Sequence, residues 1–471
     1  MMEMLLVAAI VLLAALPLLA GAAIVWRHAL LLSIPWLATL NGIMVSVGPN
    51  RVRLDQLAAG ALVVGLLLAV VAGRRRLHID GTFRWLLVFF GLSIVSSALN
   101  SPVPGYSLAQ TLNVASIWAV YLLLVNYLET PEDRSRFFRS YTASAVVACS
   151  VGILAFVLNA AGVPIGGAQT DSTTTETLAM AYGAYGTMYE PNIFGSYSQS
   201  AFLIGVGLLA VGSAAPIAGV TMQRVRLLVA TAMIALMLSF TRAAWIGTLA
   251  GLGIFIVLAA RHFGVRIRLS RILAPIGAVA AGAIVMYFVP GPAGDFFRYK
   301  VANLVNIFSS TAIVRLMSYT LIMNNVLEHP VIGSGTYSFG PIVAGGADFR
   351  SFEGYQKLWI GNWVLMPLHD AGLLGLVAFL GAMIWLVRNG LRAVVALREA
   401  DPGAASRAFA LTVAVMAVFI PYLTATGFTM GWSWMLLGML GAEVRGARRV
   451  ASGAAGGNGD GGVRDVEQRA P

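Results

Sequence analysis

The sequence predicts an all-α polytopic membrane protein, a transmembrane helical bundle of about 12–13 spans. Three observations carry that prediction. Of 471 residues, 58% are hydrophobic and only 11% are charged, where a soluble domain carries roughly 25% charged residues. Apolar runs of about 18–24 residues recur from the start of the chain to residue 441, each long enough to cross a hydrocarbon layer of roughly 30 Å. Arginines collect in the breaks, as at Arg74, Arg75 and Arg76 and at Arg261, Arg266, Arg268 and Arg271, and neither cluster can sit in lipid. A water-soluble globule is excluded.

Cutting the chain at charged or Gly/Pro-rich breaks gives spans near 4–26, 29–48, 56–73, 85–100, 111–128, 141–164, 193–213, 226–241, 243–260, 272–290, 361–387, 408–424 and 426–442. That makes thirteen, or twelve if the first two form one irregular unit. The first run has no basic leader and no small-residue cleavage site, so it reads as a retained span. Three regions follow: N-terminal transmembrane spans over 1–190, a transmembrane core over 191–445 holding a long catalytic segment at 291–360, and a disordered tail over 446–471, whose Gly/Ala-rich part from 451 cannot bury enough apolar surface to fold. Within 291–360, the stretch Ser310–Glu328 places Ile313, Leu316, Met317, Leu321 and Val326 at helical spacing with Arg315, Asn324 and Asn325 on other faces. This predicts an amphipathic helix lying at the membrane–water boundary. No fixed-period repeat is visible, so solenoid and inverted-repeat transporter readings gain nothing.

The net charge of +11 is first a topology signal in such a chain, and no nucleic-acid partner is inferred from it. One alternating set of loops (27–28, 74–84, 129–140, 214–226, 261–271, 388–407 and the tail from 445) holds 23 Lys/Arg and the other set holds 8. The first set is therefore expected in the cytoplasm. The far side then carries Arg51, Arg53, Arg242, Arg298, Lys300, Arg315, Arg350 and Lys357. The single cysteine, Cys149, excludes an intrachain disulfide and a cysteine-based metal site.

Three far-side segments depart from the bland composition. Over 182–197, a loop rich in aromatics and glycine, including Tyr189, delivers Glu190, Pro191 and Asn192 to a helix start. Aromatic faces and short polar side chains suit carbohydrate, while Pro191 and Asn192 alone could simply begin a span and the tyrosines form an interface belt. At Ser239-Phe240-Thr241-Arg242-Ala243-Ala244-Trp245, a corner too short for a real loop draws Arg242 toward the membrane, where it needs an aqueous cavity and an anion. A snorkelling topology arginine is the alternative, but those belong on the cytoplasmic side. In the third, Arg315 precedes Glu328-His329-Pro330-Val331-Ile332-Gly333-Ser334-Gly335, a helix followed by a tight turn. A structural pairing of Arg315 with Glu328 or Asp295 stays open, as does a turn role for His329. Downstream, Asn362 and His369 share a helix face by 3–4 spacing, with Asp370 beside them.

The run Thr241-Arg242-Ala243-Ala244, then Arg315 with the 328–335 stretch, then Asn362 followed by Asp370-Ala371-Gly372-Leu373-Leu374-Gly375, resembles the core signature of the O-antigen ligase and polymerase superfamily of bacterial envelope proteins. The Glu190-Pro191-Asn192 element resembles one that often precedes that core. The resemblance covers roughly residues 190–380 and rests on the order and spacing of these pieces. It implies a GT-C-type glycosyltransferase of the bacterial inner membrane, acting at the periplasmic face on a glycan carried by undecaprenyl pyrophosphate. The two core arginines, matched by Arg242 and Arg315, would hold the donor pyrophosphate without a metal, which suits the bidentate fork of a guanidinium. No cofactor is implied. The partners implied are the lipid-linked donor, a glycan or lipid acceptor, membrane lipid and a chain-length regulator.

Where the ligases typically carry a histidine before the asparagine, this chain has Gly361, so a polymerase is the more economical expectation. The candidate catalytic residues are Arg242, Arg315, Glu190, His369 and Asp370. The candidate substrate-binding residues are Tyr189, Asn192, Thr241, Arg298, Lys300, His329, Arg350 and Asn362. Catalysis without a divalent metal is expected, because the far-side acids and histidines show no tight ligand spacing. Two rivals remain: a ligase delivering the finished glycan to a lipid or protein, and a flippase binding the same lipid with no chemistry.

Overall fold

The structure, a computed structural model, describes residues 26–47, 50–161, 163, 165, 168–170, 181–188, 190–211, 220–263, scattered positions between 277 and 302, 310–343, 360–425 and 427–457. The expected span at 4–26 lies outside these residues except for Trp26, and that at 272–290 is described only at scattered positions. Helices α1 (Arg27–Thr39), α2 (Leu54–Val71), α3 (Gly81–Leu99), α4 (Pro104–Tyr127) and α5 (Pro131–Ala160) form the first half of the bundle. The second half comprises α6 (Pro191–Val211), α7 (Met222–Leu238), α8 (Arg242–Phe263), α9 (Ser310–Glu328), the short α10 (Phe339–Val343), α11 (Leu365–Leu397), α12 (Pro402–Val418) and α13 (Gly431–Gly457). Among the described residues, eight helices are long and apolar enough to cross a membrane. The all-α polytopic bundle is what the composition predicts.

Two expectations need correction. The apolar stretch 29–48 is not one span: α1 has 13 residues, about 20 Å, and the chain then forms an antiparallel hairpin of β1 (Met44–Val47) and β2 (Asn50–Arg53). The β-branched residues of 45–47 and the Gly48-Pro49 turn signal override the hydropathy there. A second hairpin pairs β3 (Ala168–Thr170) with β4 (Ala181–Ala184). Residues 446–457, assigned above to a disordered tail, continue α13, where Arg445, Arg448 and Arg449 find partners on neighbouring helices.

Helix starts follow their sequence signals. Asp80 caps α3 by accepting from the Phe83 N–H (2.9 Å), and Tyr121 donates to its other oxygen (2.5 Å), tying α3 to α4. Thr130 and Asp133 form a reciprocal capping box at α5 behind Pro131, and Asp401 caps α12 ahead of Pro402. Lipid tails are as apolar as leucine, so close packing and interhelical bonds hold such helices together. Accordingly α12 is buried on nearly every side, with small residues such as Ala404, Ala408, Ala414 and Ala417 letting its neighbours come close. At the bundle centre Trp118 of α4 stacks on Trp434 of α13 (4.3 Å between ring centroids) and on Phe89 of α3, with Phe379 of α11 alongside.

The two loop sets separate to opposite ends. At one end Arg75, Arg445 and Arg449 surround Glu129, Arg134 and Arg407 share the buried Glu443, and Arg398 bonds the His262 carbonyl. At the other, Thr187 bonds Thr39, Arg53 bonds Thr429, Thr241 bonds Pro191, and Asn100 bonds Gly333. The second end is expected to face away from the cytoplasm. Cysteines placed at Ser172 and Gly346 should therefore react with an impermeant reagent in intact cells, and protection of both would overturn the topology.

Candidate functional site

Four segments build the arginine-poor end: the start of α6, the α7–α8 corner, α9, and a strap over 329–343 that lies against the start of α11. At the first, the Glu190 carbonyl accepts the Phe194 N–H (3.1 Å) and so opens α6. The half-buried carboxyl sits at the mouth of the helix. Burial pushes it above the usual carboxylate range, while the nearby Arg315 guanidinium and a hydrogen bond from Asn192 pull the other way.

The α7–α8 corner reaches the same place. The Thr241 hydroxyl donates to the Pro191 carbonyl (2.9 Å), fixing the residue before Arg242 to the residue after Glu190. Phe240 turns the chain with φ of +50°, a left-handed conformation that is uncommon for a bulky side chain. Arg242 then heads α8, half-buried. Glu190 and Arg315 therefore act on each other, with Asn192 orienting the acid, and the Thr241–Pro191 bond fastens the backbone just before Arg242 to the residue after Glu190.

Helix α9 has the bounds expected from sequence, but its faces differ. Ile322, Val326 and Asn325 are buried, whereas Leu316, Met317 and Leu321 are exposed; the side chain of Ile313 lies outside the described residues. The helix leans Ile322 and Val326 on Ile360, Met366 and Phe339, leaving the other apolar side chains for lipid. Tyr319 donates to the Leu423 carbonyl (2.7 Å), and the Asn362 amide donates to the same oxygen (3.0 Å). Arg315, one turn before Tyr319, is held by this junction. It pairs with neither alternative acid: Glu328 is exposed, and Asp295 pairs with Arg298.

The strap interlocks with α11. Gly372, with φ of +69° and ψ of −168°, breaks that helix, and the freed groups bond the strap. Ser334 N–H donates to the His369 carbonyl (2.8 Å), Gly335 N–H to that of Asp370 (3.2 Å), and Leu373 N–H to that of Pro330 (2.9 Å). A Cβ at Gly333 would lie 2.5 Å from the Gly372 nitrogen and 2.6 Å from the His369 oxygen, so only glycine permits this approach. On its other side the strap is pinned to α3 and α4: Asn100 donates to the Gly333 carbonyl (2.7 Å), Thr336 N–H to the Ser97 hydroxyl (3.0 Å), and Thr111 to Thr336 (2.9 Å).

His369 and Asp370 lie inside this interlock and are buried. Asp370 Oδ1 is 3.0 Å from His369 Nδ1, and the carboxylate also accepts the backbone N–H of Tyr337, whose φ is +56°. The His369 ring meets the edge of Phe339, and its Nε2 finds no partner among the described residues. The helix expected to carry Asn362 and His369 on one face begins only at Leu365. Asn362 instead lies ahead of α11, its Oδ1 accepting the N–H groups of Val364 (2.8 Å) and Leu365 (3.0 Å), so its amide is consumed by capping and by Leu423. Replacing Asn362 with alanine should cost about 1 kcal/mol from the cap alone and lower the melting temperature of the purified protein. Unchanged melting with lost activity would assign Asn362 to substrate instead.

The remaining candidates divide. His329 is half-buried and its carbonyl accepts the Gly333 N–H, a turn role. Arg298 bonds locally, to Asp295 (2.5 Å) and the Tyr287 carbonyl (2.7 Å). Tyr189, Lys300 and Arg350 lie outside the described residues. Sequence reasoning missed Ser97, Asn100, Thr111 and Tyr319, which hold the strap and α9. Their signal was present, since small polar residues inside apolar spans mark helix contacts. Among the described residues no group of three or more His, Cys, Asp or Glu is placed to hold a metal ion. No protein-family model matches the chain, and no curated protein matches it.

Proposed function

We propose that the chain is a membrane glycosyltransferase that polymerises oligosaccharide repeat units carried on a lipid pyrophosphate. The observation that supports this reading is that Arg315 acts on the half-buried Glu190 at the mouth of a helix to which the Thr241–Pro191 bond ties the backbone just before Arg242. Two guanidiniums beside one raised carboxyl suit a displacement in which an anionic pyrophosphate leaves as a hydroxyl is deprotonated. The acceptor oxygen attacks the anomeric carbon as its bond to the pyrophosphate oxygen breaks. The electron pair departs with the lipid pyrophosphate, held by Arg242 and Arg315. The hydroxyl proton passes to Glu190, and the anomeric centre inverts. His369 and Asp370 are positioning residues in this scheme, fixing the strap and, through α11, the seat of α9. The site faces the periplasm and the protein resides in the inner membrane. A ligase would run the same displacement with a different acceptor, and Gly361 favours the polymerase.

One observation favours a second reading. A helix broken at Gly372 beside a buried His–Asp pair is a feature that lipid-linked glycan flippases and other carriers would use at a substrate site. The test reconstitutes purified protein with lipid-linked repeat units in liposomes containing EDTA. Chain growth is expected, falling about 10²-fold in Glu190→Gln. Movement of the donor across the bilayer without chain growth would replace the polymerase reading with the carrier one, and a requirement for added Mg²⁺ or Mn²⁺ would refute the metal-free scheme.

A further inference from the structure

At the opposite end of the bundle, where α2, α4 and α13 approach one another, three arginines surround one carboxylate. Arg75 NH1 and Arg445 NH2 lie 3.8 and 3.5 Å from Glu129 Oε1, and Arg449 NH2 lies 3.8 Å from Oε2. None of the three is a close ion pair. Part of the excess charge goes to the C-terminal end of α4: Arg445 donates to the Val125 carbonyl (2.6 Å), and Arg449 to that of Glu129 (3.2 Å). The next acids along the chain are already used, Glu132 by Arg136 (2.6 Å) and Asp133 by the Thr130 capping box. The cluster retains a surplus of positive charge. The same field acts on its neighbours: burial and then Arg449 lower the affinity of Arg445 for its proton, and burial and then Arg445 do so for His78.

The cluster borders an apolar rim. Arg75 and Arg27 both sit over the Tyr127 ring, at 5.1 and 5.9 Å from its centroid. Beside them Trp26 and Val71 are 62% and 85% exposed, a combination suited to acyl chains and the interface rather than to water. Arg449 is half exposed and Glu129 one-third exposed, so an incoming group can reach both.

We propose that this cluster is a binding site for the phosphodiester headgroup of an anionic phospholipid, with Arg75, Arg445 and Arg449 on the phosphate and Trp26 and Val71 against the chains. Three guanidiniums around one carboxylate complement an added phosphate, and basic pockets between helices at a membrane surface recognise such headgroups. The apolar rim selects a lipid over free phosphate. Glu129 holds the arginines in place and sets affinity by competing for them.

The test uses the purified full chain in detergent, with lipid retention measured by native mass spectrometry and by thermal shift. Dioleoylphosphatidylglycerol should be retained and protective where dioleoylphosphatidylcholine is not. Retention should fall about tenfold or more in the Arg75→Gln/Arg449→Gln double variant, and remain unchanged in Arg136→Gln, whose exposed i,i+4 pair lies outside the cluster. Glu129→Gln should raise retention, so the proposal stays testable if the double variant fails to fold. Equal binding of the two lipids, full retention in the double variant, or no gain in Glu129→Gln would each overturn it. Equal protection by inorganic phosphate would also overturn it, by assigning the site to a soluble anion.

Discussion

Replacing Gly372 with alanine is expected to abolish accumulation of folded protein. Its backbone, at φ of +69° and ψ of −168°, lies in a region that is essentially reserved for glycine. An added Cβ would overlap the Val331 carbonyl and come within 2.5 Å of the Ile332 nitrogen. Both obstacles are backbone of the strap, which is bonded to α3, α4 and α11 and so has nowhere to retreat. The strain and clash together cost about 3 kcal/mol or more, a large fraction of the 5–15 kcal/mol that stabilises a typical fold. Gly91→Ala is the matched control, because a Cβ there meets nothing within 4 Å. Fluorescence-detected size exclusion of detergent extracts should show a monodisperse peak for Gly91→Ala and none for Gly372→Ala. Equal peaks and equal melting would show that the interlock is dispensable.

The second large effect concerns the arginines. Lysine at position 242 or 315 keeps the charge but loses the planar fork, and removing one such stabilising group costs about 10²–10³-fold in rate. Each single variant should therefore fall by about 10²-fold or more in polymer formation while folding normally. The pH profile separates charge from geometry at Arg315. A base works deprotonated, so activity rises with pH through the pKa of Glu190, and Arg315 holds that pKa down against burial. Arg315→Gln should move the acidic limb to higher pH, while Arg315→Lys should leave the limb near its wild-type position. Wild-type yield in both lysine variants would remove the arginines from the chemistry, and an unmoved limb in Arg315→Gln would remove Glu190 as the base.

The sequence carried the fold class because hydropathy and charge placement are one-dimensional signals, and bundle ends follow from arginine placement alone. Helix α9 was legible to the residue, since helical spacing is local. Its orientation was not: which side of α9 meets protein depends on Ile360 and Met366, some forty residues on. Glu190, Arg242 and Arg315 stood out as candidates, because an isolated cation or acid at a short corner is unusual in any membrane chain, but that Arg315 acts on Glu190 was not legible. The bonds that Asn362 and Arg298 make were not legible, for a common reason. Polar side chains near helix ends and in loops have backbone groups to satisfy, and those bonds to Val364, Leu365, Tyr287 and Leu423 leave no mark on spacing. The strap motif was recognisable as a pattern, but its partner, the Ser97–Asn100 end of α3, lies 233 residues away from Gly333 at Asn100.

That separation also sets an order of assembly. Domains and helices emerge from the ribosome N-terminal end first, so α3 and α4 enter the membrane carrying Ser97, Asn100 and Thr111 long before the strap exists to bond them. A chain stopped after α8 already holds Glu190 and Arg242 but lacks Arg315 and the residues that seat it. Arg315 arrives with α9, and the residues over 329–335 are locked in place only when α11 follows and breaks at Gly372. In truncated or stalled products Ser97 and Thr111 keep only the bonds they make within α3 and α4, and the Asn100 amide lacks the Gly333 carbonyl that it meets in the finished protein.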